Sequence, residues 1–407
     1  MKSLAGPFAY PLFRRLSLAA NLSDFGFTVL GVASAYLVFQ MTGNAAAVGV
    51  LAALAIVPGI VGPAVTATMM ERFCPRKIAT NLSVASTLAP AAMALLFAVG
   101  ELSVAWIFAL VFVGGIARAG TGPILVELYR YTLPAELQDR STEAHRNFIG
   151  NAVTILAALS SSVVYTHFGA EAAFGLAALA SLMMMVVLMT ADSLQASCDA
   201  LRESQPPPPL VQGLRMGLSI PIVAAALISG GFLLLLVAPL QSLAPRIAMN
   251  HGESPMYVGW LVAAMAAGGM LASLLANRFG NTEAGQRREL ELALIVVGPL
   301  LILLGLSMSL LTDLLILMLL GASLQIAFFV MPWAVLVNAP KEVSGRMLGL
   351  IFVVAAFTGG VGALVMGALV DSFGLEEVLV ACGLLAFVFG LARAIKLSRT
   401  PLTPVSR

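Results

Sequence analysis

Asp24 and Arg118 are the ionisable residues that lie well inside long apolar stretches of this chain. Asp24 belongs to the run N-L-S-D-F-G-F, residues Asn21 to Phe27, with Leu16 to Ala20 before it and Val29 to Phe39 after it. Arg118 belongs to G-G-I-A-R-A-G-T-G, residues Gly114 to Gly122. A charge held in hydrocarbon costs roughly 2.5 to 3.5 kcal/mol even on the lenient insertion scale, so each must be offset by a partner or by water. Read as helices entered from one face, at 1.5 Å per residue, Asp24 lies roughly 14 Å deep and Arg118 roughly 12 Å. Opposite charges at one depth usually face a bundle interior and pair, so each is expected to be the partner of the other. Such a pair could carry a proton, since an adjacent cation favours the ionised carboxylate and removal from water the protonated one. The carboxylate could instead bind a cationic substrate group, or the pair could only hold two helices together.

A polar cluster surrounds these two. Asn21 and Ser23 flank the aspartate, and Thr121 follows the arginine by three residues. Asn147, Asn151 and Thr154 recur at spacings of four and three, which puts them on one helical face. They read as cavity lining or as interhelical hydrogen-bonding groups. In the second half of the chain the corresponding polar features are Gln325, Trp333 and Asn338, with no charge among them. A cavity built from these residues would be polar on its N-terminal wall and apolar on its C-terminal wall, which suits an amphipathic compound. His145, His167 and His251 have no metal-ligand spacing, and no Gly-rich phosphate loop opens a soluble helix, so neither a catalytic role, a metal nor a cofactor is expected. Cys74, Cys198 and Cys382 are scattered and odd in number, and are expected to be free thiols.

The elements that must position these groups follow from composition. Sixty per cent of the residues are hydrophobic, ten per cent are charged and the mean hydropathy is +0.98, far outside the range of soluble domains. Twelve windows are long enough to cross a bilayer: about 15–40, 46–70, 78–99, 103–126, 147–166, 172–191, 217–240, 257–276, 290–309, 313–336, 347–370 and 376–395. Stretches such as Leu233 to Val237 are apolar on every face, so the spans are helices and not barrel strands. The first window is too long for a cleavable leader, and no A-x-A-like site follows it. With both termini on one side, 20 of the 22 Lys and Arg residues fall on that side; Arg246 lies opposite and Arg118 within a span. The positive-inside rule makes that side the cytoplasm. The expectation is an all-α polytopic protein of a bacterial inner membrane, with lipid as its surroundings and no nucleic-acid partner.

The chain also repeats itself. Glu71-Arg72-Phe73 after the second span recurs as Asn277-Arg278-Phe279 after the eighth, at an offset of 277 − 71 = 206. The loop starting at Pro134 after the fourth span recurs at Pro340 after the tenth, again at 206, and Phe168-Gly169 recurs as Phe373-Gly374 at 205. Three matches at one offset argue for six plus six helices in parallel repeat. Between the halves lies the longest polar segment, with Pro206 to Pro209 in a row, an extended tether. The expected organisation is a six-helix bundle over 1–191, a cytoplasmic linker over 192–216 and a second six-helix bundle over 217–407.

Two bundles related by an axis along the membrane normal form the architecture of rocker-switch transporters. Over essentially its whole length the chain resembles the major facilitator superfamily. The superfamily's loop signature after span two, G-x-x-x-D-[RK]-x-G-[RK]-[RK], is met in degenerate form by Ala67, Glu71, Arg72, Cys74, Pro75 and Arg76, and its second copy keeps Arg278 and Gly280 with Asn277 at the acid position. The resemblance implies that spans one and four line the central cavity and that Arg118, followed by Gly122, serves proton coupling or substrate binding. It also implies a cytoplasmic gate at Glu71, Arg72, Arg76, Asn277 and Arg278, in which the acid pairs across the bundle interface. Arg76 and Lys77 also read as topology-setting bases. S-D-F-G in span one, V-F-Q-M-T-G-N at its end and A-V-G-V-L opening span two resemble the bacterial branch that includes macrolide and siderophore exporters. Span five lacks the Gly-Pro pair common in drug–proton antiporters, which weighs against proton antiport but not against transport. The implied function is monomeric secondary export of a small drug-like or siderophore-like compound. An uptake carrier and a non-transporting sensor of the same fold are the alternatives.

Overall fold

The computed structural model describes residues 7–70, 73–133, 140–190, 219–251, 254–275, 283–338 and 341–398. Among these residues thirteen α-helices follow one another with no strand between them. The N-terminal bundle comprises α1 (Pro11–Thr42), α2 (Ala45–Ile56), α3 (Pro58–Met70), α4 (Pro75–Ala98), α5 (Val104–Thr132) and α6 (Arg140–Met189). The C-terminal bundle comprises α7 (Pro221–Val237), α8 (Leu240–Ala248), α9 (Pro255–Leu275), α10 (Glu283–Gly305), α11 (Leu310–Asn338), α12 (Lys341–Phe373) and α13 (Leu375–Ser398). The segment expected to join the bundles, 192–216, lies outside the described residues.

Among the described residues ten stretches are long and apolar enough to cross a membrane. One of them, Thr142–Met189, is 48 residues long and makes two passes. A further pass is α10, whose first turns carry Glu283, Arg287, Arg288, Glu289 and Glu291 before the apolar run begins. Ten stretches, one of them double, plus α10 give the twelve spans of a multi-pass membrane protein. The spans are not all single rods. Span two is broken between α2 and α3 at Pro58, and span seven between α7 and α8 beside Pro239, where proline has no N–H to continue the ladder.

Two glycines make the turns that the repeat offset had paired. Gly169 has φ 85° and ψ 176° and splits α6 into its two passes. Gly374 has φ 98° and separates α12 from α13. Both sit in the left-handed half of backbone space, where a Cβ is strained and glycine is not.

Within the first bundle α1 packs on α6 and α5, and α4 on α5 and α6; within the second, α9 packs on α11 and α10 on α13. The bundles meet along two seams, α2 and α3 against α12 and α6 against α9. Lipid tails are as apolar as leucine, so helix association relies on close packing more than on the hydrophobic effect. Small residues supply it. A Cβ at Gly268 of α9 would run into the Met318 carbonyl of α11, and one at Gly321 of α11 into the Met265 carbonyl of α9. Gly268→Ala is therefore expected to force these helices apart and destabilise the C-terminal bundle by about 1–3 kcal/mol. A fall in the thermal unfolding midpoint in detergent measures it, and Gly122→Ala, where the added Cβ meets nothing within 4 Å, is the neutral control.

One sequence expectation is corrected. Cys382 is a free thiol, as expected, but Cys74 is disulfide-bonded. Cys198 lies outside the described residues. The reason is tertiary. Arg76, at the start of α4, donates from Nε to the Leu188 carbonyl at 3.0 Å and from a terminal nitrogen to the Met189 carbonyl. The loop before α4 is thereby held beside the end of α6, a proximity that separation along the chain hides.

Candidate functional site

A cavity of about 500 Å³ lies between the bundles. Its lining on α1 runs from Ser17 to Phe27, on α6 from Arg146 to Gly150 and on α12 from Phe352 to Gly359. These are the halves of the three helices nearest the face that bears the start of α1. The cavity thus occupies one half of the molecule and ends near its middle.

Asp24 and Arg118 meet on its wall. Arg118 Nη1 donates to Asp24 Oδ1 at 2.5 Å, and the guanidinium carbon stands 4.6 Å from the centroid of the Phe27 ring. The Phe27 ring is one turn from Asp24 on α1, so a single helix offers the arginine both a carboxylate and an aromatic face. A cation over an aromatic face gains about 0.5–1 kcal/mol at an exposed site. The side chains of Arg118 and Asp24 keep 40% and 35% of their accessible surface. That exposure decides how the charges are tolerated: the cavity wets them, so neither bears the full cost of transfer into hydrocarbon.

The other expected site residues divide into three groups. Asn21, Ser23 and Asn147 line the cavity with the charged pair, and Arg146 adds a second guanidinium, bonded to Glu143 at 2.7 Å. A second group turns away from it. Thr121 is buried and its hydroxyl donates to the Ala117 carbonyl at 2.7 Å, and Thr154 does likewise to Gly150 at 3.0 Å. Asn151 and Gln325 are also absent from the lining. Asn151 Nδ2 donates to the Asn147 carbonyl at 2.8 Å and to Gln325 Oε1 at 3.1 Å. This bond ties α6 to α11 across the bundle boundary, one residue past the end of the cavity lining on α6. The third group is outside description: Glu71, Arg72, Asn277 and Arg278 wholly, and Trp333 and Asn338 in their side chains. Arg76 donates to the Leu188 and Met189 carbonyls of α6, in its own bundle.

The C-terminal wall is apolar, with Leu234, Ala238, Phe328, Phe352 and Ala355 facing the charges. Sequence reasoning missed Phe27, Phe328 and Phe352, because an aromatic in an all-apolar helix carries no sign of which side it faces. Arg146 could have been found: it is four residues before Gly150 and adjacent to Asn147. No cluster of three or more potential metal ligands occurs among the described residues.

A half-open cavity with a charged wall between two six-helix bundles defines a membrane transporter fold of the two-bundle type. The family model of the Major Facilitator Superfamily matches residues 16–359, and the chain belongs to that superfamily. No curated protein sequence matches it closely enough to add to this. Among solved structures it is similar to the nucleoside transporter NupG, at 12% identity and a TM-score of 0.72 over 95% of this chain and 99% of that one. It is also similar to a bacterial homologue of the human lysosomal transporter Spinster in an inward-facing, unoccupied conformation, at 14% identity and a TM-score of 0.70 over 98% and 99%. The human organic anion transporter MFSD10 follows at 14% identity and a TM-score of 0.66 over 94% and 99%. At these identities the likeness is one of fold.

Proposed function

We propose that the protein is a secondary active exporter that moves a small amphipathic organic compound outward across a bacterial inner membrane by alternating access. The observation that carries this reading is the Asp24–Arg118 pair, wetted in a cavity whose opposite wall is apolar. A substrate with a polar head and an apolar body satisfies both walls at once, the head against Asp24, Asn21 and Asn147 and the body against Phe328 and Phe352. The distribution of Lys and Arg supports a cytoplasmic position for both termini, and hence for the mouth of the cavity. The working units are a bundle over 1–191 and a bundle over 217–407, rocking about the cavity on a cytoplasmic linker over 192–216.

Asp24 and Arg118 form the coupling pair. Protonation of the carboxylate removes the negative charge that holds both the Arg118 guanidinium and a substrate's hydrogen-bond-donating head, so a proton arriving at Asp24 releases the substrate. Deprotonation restores the pair. A proton entering from outside would in this way exchange for a substrate leaving from inside. The likeness of span one to macrolide and siderophore exporters supports the outward direction.

The test is flux in proteoliposomes with an imposed pH gradient and a panel of drug-like and siderophore-like compounds. At least one compound is expected to accumulate uphill on the acidic side and to stop when the gradient is dissipated. Failure of every compound to move, or movement indifferent to the gradient, overturns the exporter reading.

A further inference from the structure

The half of the molecule away from the cavity mouth is held shut by contacts between the bundles, and one of them sets a carboxylate on a helix N-terminus. Asp371 lies in the last turn of α12, exposed at the end of the helix. Its Oδ1 accepts the Ala45 N–H at 2.9 Å and its Oδ2 accepts the Ala46 N–H at 2.6 Å. Both amides belong to the first turn of α2, in the other bundle. The helix's own cap, Asn44, reaches only the Ala47 N–H, at 3.1 Å. The first turn of a helix leaves four N–H groups without intrahelical partners and carries a partial positive charge. Two of those four at α2 are satisfied by a carboxylate borrowed from the opposite bundle.

The rest of the seam agrees with this closure. A Cβ at Gly367 would stand 2.8 Å from the Ala45 carbonyl, and one at Gly49 would strike the Ala363 carbonyl, so α2 and α12 touch backbone to backbone near Asp371. Further along, a Cβ at Gly360 meets Val57 only at 3.4 Å and one at Gly359 meets Ile56 at 4.0 Å. A Cβ at Gly59 would still meet Ala356 at 3.0 Å, and Ile56, Gly59, Ala356 and Gly359 line the cavity. Asp371 therefore sits at the end of the seam away from the cavity.

We infer that Asp371 is the latch of the outer gate: its carboxylate caps α2 when the outer half is closed, and the cap must break for that half to open. Because Asp371 and the first turn of α2 lie on different bundles, any rocking that separates the outer ends of α2 and α12 breaks both hydrogen bonds together. Water then takes over the two amides and the carboxylate; the carboxylate is already exposed, whereas Ala45 is buried until the seam opens. The latch thus stabilises the cavity-in state without trapping it. It rests on the alternating-access reading for its role, but not on the identity of the substrate.

Hydrogen–deuterium exchange of the full-length protein in nanodiscs, without substrate, tests it. In Asp371→Ala the ratio of outward-open to outward-closed protein is expected to rise about 2- to 30-fold, the range expected when a helix cap is lost. Exchange should then quicken not only over 45–52 but also over 155–163 and 258–264, the α6–α9 seam on the far side of the molecule. It should slow over 17–27 and 352–359, where the cavity walls come together. Asp371→Asn keeps one acceptor oxygen without the charge and should fall between wild type and Asp371→Ala, which serves if the alanine variant folds poorly. Ser372→Ala, next in sequence but bonded only back to Ala368, should exchange as wild type. Faster exchange confined to residues 45–47, or no change, overturns the latch. Neither depends on flux, so a wild-type protein that transports nothing overturns the exporter reading while leaving the exchange result to stand.

Discussion

In proteoliposomes, Asp24→Asn is expected to lose uphill, gradient-driven accumulation while still folding and still letting substrate equilibrate downhill. The asparagine oxygen can accept from Arg118, so the 2.5 Å contact survives in weakened form, and Phe27 continues to face the guanidinium at 4.6 Å. What disappears is the charge. With no carboxylate to take up and release a proton, coupled flux should fall by about 10-fold or more, about 1.36 kcal/mol for each factor of ten. Arg118→Gln should cost a similar factor by leaving the carboxylate without its cation. The double variant Asp24→Asn with Arg118→Gln should lose coupling to the same extent, not twice over, because both changes remove one interaction. If instead Asp24→Asn accumulates substrate as wild type does and only its melting point falls, the pair is structural. Side-chain exposures of 35% and 40% argue for the first outcome, since a pair kept only for strength would gain nothing from facing a wet cavity.

The largest stability effect is expected far from that cavity. His251 Nε2 and Asp313 Oδ2 lie 2.6 Å apart, with side chains only 8% and 3% exposed, where the chain leaving α8 passes the first turn of α11. Asp313 Oδ1 has no hydrogen-bond partner among the described residues, so the imidazole and the positive end of α11 are what sustain the buried carboxylate. Removing one member of a buried pair strands the other and costs about 3–5 kcal/mol. Asp313→Ala should therefore lower the melting point by about 5 °C or more, and His251→Ala by a similar amount. Asp313→Asn keeps an acceptor for the ring and should lose far less. In the double alanine variant the losses should fall well short of their sum, the mark of a direct interaction. Full additivity would mean that the two side chains stabilise separate contacts. Because His251 lies beside a loop in sequence, nothing marks it in advance as buried.

The contrast between these two pairs illustrates what the sequence can convey. Asp24 and Arg118 could be matched before any coordinates because both interrupt runs of apolar residues, and a 1.5 Å rise converts sequence position into depth. The spans could be counted for the same reason. Phe168-Gly169 and Phe373-Gly374, at matching places in the two halves, became the left-handed turns at Gly169 and Gly374. Helix breaks within a span, at Pro58 and near Pro239, were less legible, because hydropathy is blind to where a continuous apolar run loses its backbone ladder.

Thr121, Asn151 and Gln325 were expected in the cavity and are not there. Each is polar and lies in the right helix, but Thr121 bonds back to Ala117, while Asn151 and Gln325 bond to each other across the bundles. Phe328 and Phe352, which do face the cavity, look in sequence like any lipid-facing phenylalanine. In a soluble helix the polar face supplies a phase that tells which residues point inward. A helix that is apolar all round has no such phase, and its rotation is chosen by close packing against its neighbours, as at Gly268 and Gly321. Composition and the placement of charge thus determined by themselves that the chain spans a membrane, that it does so twelve times in two related halves, and that Asp24 would need Arg118. Only the tertiary structure decided which small residues close the seams, which side chains turn into the cavity, and that Asp371 of one bundle caps a helix of the other. Those outcomes depend on the contact of surfaces distant along the chain, and hydropathy carries no record of that contact.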